Sequence, residues 1–214
     1  MSAVAVVNPR GGGGRAGRLW PEVRARLLAG GIDAAERVTT RAGDGTRLAR
    51  EAVEAGATAI VAVGGDGTAN EVVDGMLTGG VTGSDVELLY IPAGTGSDLA
   101  RTLGIPRDPL AAADAAGDMP RRRIDVGVLD FHDHAGRPAR RHFVNIADAG
   151  IGGLVVTRVN TTPKILGGRV SFLIGTMRAI ASFRPVQLEI SLDDGRERRS
   201  GRFCNVVVAN CQYF

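Results

Sequence analysis

Gly64-Gly65-Asp66-Gly67-Thr68 sets one carboxylate and one hydroxyl among three glycines, between the apolar run 59–63 and a helix-like segment, 69–76. A buried strand, a glycine turn and a helix present backbone N–H groups to an anion, because glycine has no Cβ to hold it away. Asp66 carries the same sign as phosphate, so it does not attract one. Its useful roles are holding Mg²⁺, directly or through water, and orienting an attacking hydroxyl. The chemistry this pattern points to is phosphoryl transfer. A tight strand–helix connection would explain one or two glycines, but not three around an Asp followed by Thr68, Asn70 and Glu71.

Two further loops share this texture. Asn8-Pro9-Arg10-Gly11-Gly12 follows the apolar run 3–7 and would also serve as a plain strand-ending turn. It lacks the Walker-type Gly-x-x-x-x-Gly-Lys-Ser/Thr pattern, and no loop has the spaced Gly-x-Gly-x-x-Gly fingerprint. Gly94-Thr95-Gly96-Ser97-Asp98 again puts small and hydroxyl residues at a helix start, with Ser97 or Asp98 expected as the N-cap.

The elements that position these loops alternate. Strands are expected at 3–7, 34–39, 59–63 and 86–91, with helices at 15–29, 44–55 and 69–77 between them. Repeated βα units build a mostly parallel sheet covered by helices, with its ligand crevice beyond the carboxyl ends of the strands. All three glycine loops fall on that edge. After Pro120 the pattern becomes β-rich: strands at 122–131 and 140–147, a helix-prone stretch at 170–183, and strands at 186–192 and 198–209. The fold expected is α/β, with a three-layer Rossmann-like domain at 1–121 and a β-rich, incomplete second domain at 122–214.

A chain of 214 residues, 44% hydrophobic and 23% charged, has an ordinary globular composition. Aromatics at 4% are too few for a base-stacking platform, so no nucleic-acid partner is expected. The net charge of +3 rests almost wholly on arginine, Lys164 being the single lysine; it suits phosphate ligands, an anionic bilayer surface or a general preference for arginine. No apolar run nears the roughly 20 residues of a membrane span, and the start does not read as a signal peptide. Cys204 and Cys211, on opposite faces of one continuous strand, could not bridge. A cytoplasmic protein is expected, with peripheral membrane contact only. His132, His134 and His142 with Asp133 are read as a solvated hairpin rather than a metal site, and Arg121-Arg122-Arg123 as a solvated edge.

Taken together, the loops resemble the diacylglycerol kinase catalytic-domain family, lipid kinases that include bacterial diacylglycerol kinases and sphingosine kinases. The resemblance rests on Val7-Asn8-Pro9 with its glycines, the long run from Gly64 to Gly75, and Pro92 to Arg101 followed by Leu103-Gly104-Ile105-Pro106. Ile124-Asp125-Val126-Gly127 and Phe143-Val144-Asn145 with Gly150 look like the family's entry into its second domain. It implies an ATP- and Mg²⁺-dependent transfer of phosphate to a lipid hydroxyl, diacylglycerol first among the candidates, in phospholipid metabolism. Asn8, Pro9, Arg10, Gly11 and Gly12 would cradle ATP, and Thr40, or its neighbour Thr39, would contact the nucleotide. Gly64, Gly65, Asp66, Gly67, Thr68, Asn70 and Glu71 would wrap the phosphates, and Gly94 and Thr95 would complete the contacts. Asp66 would be both the catalytic residue and the metal ligand.

Two departures stand out. Ser97 occupies the position of an Asn in the family, and the later Asp-Gly motif that holds the family's general base does not occur within these 214 residues. The general base is therefore expected past Phe214, in a segment this sequence does not contain. The rival readings are an NAD kinase, which shares the Gly-Gly-Asp-Gly-Thr loop, and a non-catalytic nucleotide-binding fragment or paralogue. A homodimer is compatible with the sequence, which leaves oligomeric state open. The kinase reading predicts that Asp66→Ala abolishes transfer to lipid, measured with labelled ATP, and leaves the fold intact.

Overall fold

The computed structural model describes residues 2–78, 86–133, 135–153, 176–178 and 180–213. Within them the chain forms two compact units, Met1–Ile146 with Ala209–Phe214, and Ala147–Val208.

The first unit is built on four parallel strands, β1 (Ala3–Val7), β2 (Ala34–Val38), β3 (Ala59–Gly64) and β4 (Glu87–Pro92), in the order β2-β1-β3-β4. Every residue of β3 is buried, as a central strand covered on both faces must be. Alternate side chains feed two cores. Val6, Ile60 and Ala62 pack with α2 (Asp44–Glu54), α3 (Asp66–Thr78) and α4 (Asp98–Leu103). Ala5, Val7, Val61 and Val63 pack with α1 (Gly11–Ala29) and α5 (Pro109–Ala115). Helices on both sides of a parallel sheet give the expected three layers.

Several boundaries differ from the sequence reading. α3 starts at Asp66, so Asp66, Gly67 and Thr68 form its first turn rather than a loop before it. The Gly-rich start of α1 is not regular helix: Gly12, Gly13 and Gly14 have φ of 58°, 67° and 90°, which residues with a Cβ rarely adopt. α5 was not anticipated, although Asp108-Pro109 announces it. The Asp108 carboxylate accepts from the Leu110 and Ala111 N–H groups and Pro109 fills the first turn.

The expected strand 140–147 divides into β6 (Pro138–Phe143), antiparallel to β5 (Gly127–His132), and β7 (Ile146–Gly150). The expected strand 198–209 likewise breaks at Cys204. β9 (Glu197–Phe203) pairs with β8 (Val186–Leu192), and β10 (Asn205–Ala209) pairs with β7. Each piece takes a different partner. Neither cysteine lies in a strand, and both thiols are free. In the helix-prone stretch, 170–175 and 179 lie outside the described residues, while 176–178 and 180–182 are helical. Among the described residues no helix is long and apolar enough to cross a membrane.

α2 and α3 meet closely because Gly75 lets them. A Cβ there would stand 2.1 Å from the Thr46 carbonyl oxygen and 2.9 Å from the Ala49 Cβ. The helix-propensity gain of Gly→Ala is about 1 kcal/mol, and overpacking against backbone exceeds it. Gly75→Ala is expected to cost roughly 1–3 kcal/mol of stability, seen as a lower urea midpoint; an unchanged midpoint would contradict this packing.

Candidate active site

The loops after β1, β3 and β4 converge at the carboxyl edge of the sheet, backbone against backbone. A Cβ on Gly12 would lie 2.3 Å from the Ala93 carbonyl oxygen, and one on Gly94 would lie 2.5 Å from the Gly65 Cα. The Ala93 N–H donates to the Gly64 carbonyl at 2.7 Å, and the Asn8 N–H to Val63 at 2.9 Å. The Asn8 side chain reaches across, its Nδ2 donating to Thr68 Oγ1 at 3.0 Å while its Oδ1 accepts from the Arg10 N–H. Asn8, Pro9, Arg10, Gly11, Gly12, Gly64 to Thr68, Gly94 and Thr95 are thus brought into one neighbourhood.

The polar side chains of that neighbourhood are turned inward. Asp66 Oδ1 accepts from the Tyr90 hydroxyl at 3.1 Å and the Leu99 N–H at 3.3 Å, and its Oδ2 from the Asp98 N–H at 3.1 Å. It therefore caps α4. Ser97 holds the N-cap position of that helix but makes no side-chain cap, because its backbone is left-handed at φ 62° and its side chain is buried, 4% exposed. This corrects the expectation of a Ser97 or Asp98 cap. Ser97 holds a left-handed backbone that asparagine would tolerate better.

Tyr90 is the residue that sequence reasoning missed. Burial, and next the Asp66 charge beside it, push its phenol far above the ordinary range, so it stays a neutral donor. Its signal was a lone tyrosine in the apolar strand Leu-Leu-Tyr-Ile-Pro, since a buried tyrosine hydroxyl needs a partner.

Asn70 and Glu71 face other segments. The Asn70 amide donates to the His142 carbonyl at 3.4 Å and accepts from the Val144 N–H at 3.1 Å. Glu71 Oε1 and Oε2 accept from the Gly43 and Gly45 N–H groups at 3.0 and 2.9 Å. One turn on, Asp74, 3% exposed, accepts from the His142 N–H at 2.9 Å and from Arg141 Nη1 at 3.1 Å. The Thr40 hydroxyl donates to Asp44, itself 3% exposed, which also accepts from the Thr40 and Arg41 N–H groups. The Thr40 N–H and then its hydroxyl hold the Asp44 carboxyl well below the usual carboxylate range, against the opposing effect of burial.

These partnerships decide what remains for a ligand. The N–H groups that begin α2 and α4 already meet carboxylates from α3. Those that begin α3, around Gly65, Asp66 and Gly67, have no partner within their own helix, and Gly67 is exposed. An anion placed at this edge would meet α3 and the neighbouring glycine amides. Among the described residues no group of three His, Cys, Asp or Glu side chains could hold a metal; His134 lies outside them.

Family models match both parts of the chain. A family model described as the diacylglycerol kinase catalytic domain matches residues 2–129, and one described as the YegS C-terminal NAD kinase beta sandwich-like domain matches 145–214. A protein named probable lipid kinase YegS-like, from Chromohalobacter salexigens, is 37% identical over 201 residues, covering 90% of this chain and 59% of that protein. Proteins named diacylglycerol kinase are 36% identical in Bacillus subtilis and 33% identical in Mycobacterium tuberculosis, with 76% and 90% of this chain covered. The chain spans 50% and 60% of those two relatives. A crystal structure of a diacylglycerol kinase from Bacillus anthracis shares the fold at a TM-score of 0.68 and 22% identity, over 99% of this chain and 65% of that one.

Two expectations follow from the inward carboxylates. Asp66→Ala strips an acceptor from three donors and should cost about 1–3 kcal/mol, so the variant's fold is weakened and not merely its chemistry; chemical denaturation checks this. Asp44, with a folded pKa below its unfolded value of about 3.9, stabilises fully above that value and less as pH falls through the acid range. The stability gap between wild type and Asp44→Asn should therefore be widest near neutrality and narrow progressively as the pH falls below about 4 toward the depressed folded pKa. An equal gap at both pH values would contradict the bonding described.

Proposed function

The chain belongs to the diacylglycerol kinase catalytic-domain family, and on that footing we propose that it carries the donor site of an ATP-dependent lipid kinase. The observation that supports this most directly is the convergence of three glycine loops on one sheet edge, with the amides of α3 as the anion-binding end. In this reading residues 1–121 bind ATP and residues 122–214 contribute to the acceptor side. Gly11, Gly12, Gly64, Gly65, Gly67 and Gly94 let the triphosphate approach the backbone, and Asn8, through Thr68, holds the first loop to the second. Thr95, exposed between Gly94 and Gly96, supplies a hydroxyl to the phosphates.

Mg²⁺ fits this donor set as an ion that keeps most of its water. The Asp66 and Asp98 carboxylates both flank Gly96, where a Cβ would lie 3.4 and 3.2 Å from their oxygens. One or two carboxylates with phosphate oxygens are the ligands it takes, and bound there it would neutralise charge on the phosphoryl group. Asp66 retains capacity for this, since an ionised carboxylate has about four acceptor sites and three are in use. The remaining contribution of the chain is positioning and amide electrostatics, the main sources of catalysis in phosphoryl transfer.

The acceptor we propose is a lipid hydroxyl at a membrane surface, with diacylglycerol first, reached by peripheral association. The test is labelled ATP with diacylglycerol in mixed micelles beside NAD in solution. Label in phosphatidic acid is the expected result. Label in NAD instead would replace this reading with the NAD kinase one, and ATP binding without transfer to either would favour a nucleotide-binding module.

A further inference from the structure

We propose that Glu71 is a positioning residue of the donor site rather than a phosphate contact: it caps α2 from outside and so fixes the Thr40–Gly45 loop beside the phosphate loop. The inference rests on the ATP-binding reading above. Both carboxylate oxygens are spent on backbone, Oε1 on the Gly43 N–H and Oε2 on the Gly45 N–H, at 3.0 and 2.9 Å. α2 has no means of capping itself. Its N-cap residue is Gly43, left-handed at φ 84°, and no side chain from that position reaches the first turn. Asp44, the first acidic residue of the helix, turns back to Thr40 and Arg41 instead. Gly45 is shaped to this use, since a Cβ there would lie 2.7 Å from Glu71 Oε2 and 2.8 Å from the Glu71 Cβ.

The consequence is a mechanical one. β2 and β3 are not neighbours in the sheet, because β1 lies between them. The loop after β2 therefore gains no strand pairing with the loop after β3, and Glu71 bonds it to the helix that the phosphate loop begins. A negative carboxylate facing a bound triphosphate would repel it; one facing two amides at a helix start is stabilised. Glu71 acts on the nucleotide through the loop it holds.

The experiment compares wild type, Glu71→Gln and Thr46→Val. Glutamine keeps the size and one acceptor but points an N–H₂ group at the other donor. Thr46→Val removes a different α2–α3 bond, Thr46 Oγ1 to Asp74 Oδ2 at 3.3 Å, without touching the cap. ATP affinity is read by calorimetry with Mg²⁺, alongside melting temperature and the KM for each substrate. The expected result is ATP binding weakened about tenfold in Glu71→Gln, a raised KM for ATP, an unchanged KM for lipid, and unchanged ATP affinity in Thr46→Val. If Glu71→Gln binds ATP as wild type does, or Thr46→Val weakens it equally, the inference falls and the kinase reading stands. If wild type itself binds no ATP, the donor-site reading falls and takes the inference with it.

Discussion

Two helices of the α/β unit cannot cap their own N-termini, and one neighbouring helix caps both. α2 begins after Gly43 and α4 after Ser97, each N-cap residue being left-handed and making no side-chain cap bond. α3 supplies both acceptors, Glu71 to α2 and Asp66 to α4. Buried N–H groups without an acceptor cost far more than an average hydrogen bond contributes. The positions of the flanking helices, and of the loops that lead into them, therefore depend on α3. Further along the same helix, Asn70 and Asp74 bond the backbone at 142–144 in the same manner.

This arrangement sets the electrostatics of the sheet edge. Helix starts attract anions, and four of them follow strands that end there, α1 with the left-handed glycines of its first turn and then α2, α3 and α4. At two the N–H groups already face an internal carboxylate. With those ends already facing carboxylates, α3 and the glycine amides around it are where a phosphate would gain most. Tyr90 adds to this bonding. Its neutral hydroxyl gives Asp66 a third donor and holds the carboxylate toward α4.

The turn from β6 toward β7 is likewise held by residues distant in sequence. The Val144 carbonyl accepts from Asn210 Nδ2 and Cys211 Sγ, each at 3.1 Å, and the Asn145 carbonyl from the Asn210 N–H at 2.8 Å. Asn210 Nδ2 also reaches the Asp125 carbonyl at 2.7 Å. Residues 125, 144 and 145 are thereby fixed to a segment more than sixty positions later. No local pattern in the sequence could announce that, since periodicity and turn chemistry report only near neighbours.

The sequence by itself determined the α/β alternation, the parallel sheet and the edge on which the glycine loops gather. Those follow from hydrophobic period, glycine placement and chain reversal, all local in sequence. It also identified the family, because the run from Gly64 to Gly75 is long enough to be specific. Tertiary structure alone decided what the polar residues of that run do. By resemblance Asn70 and Glu71 are expected to wrap the phosphates and Asp66 to hold the metal. In the folded chain their nearest unmet donors are backbone N–H groups from residues 26 to 74 positions away. A carboxylate's role is set by which donors surround it, and that is a property of the packed structure rather than of the motif.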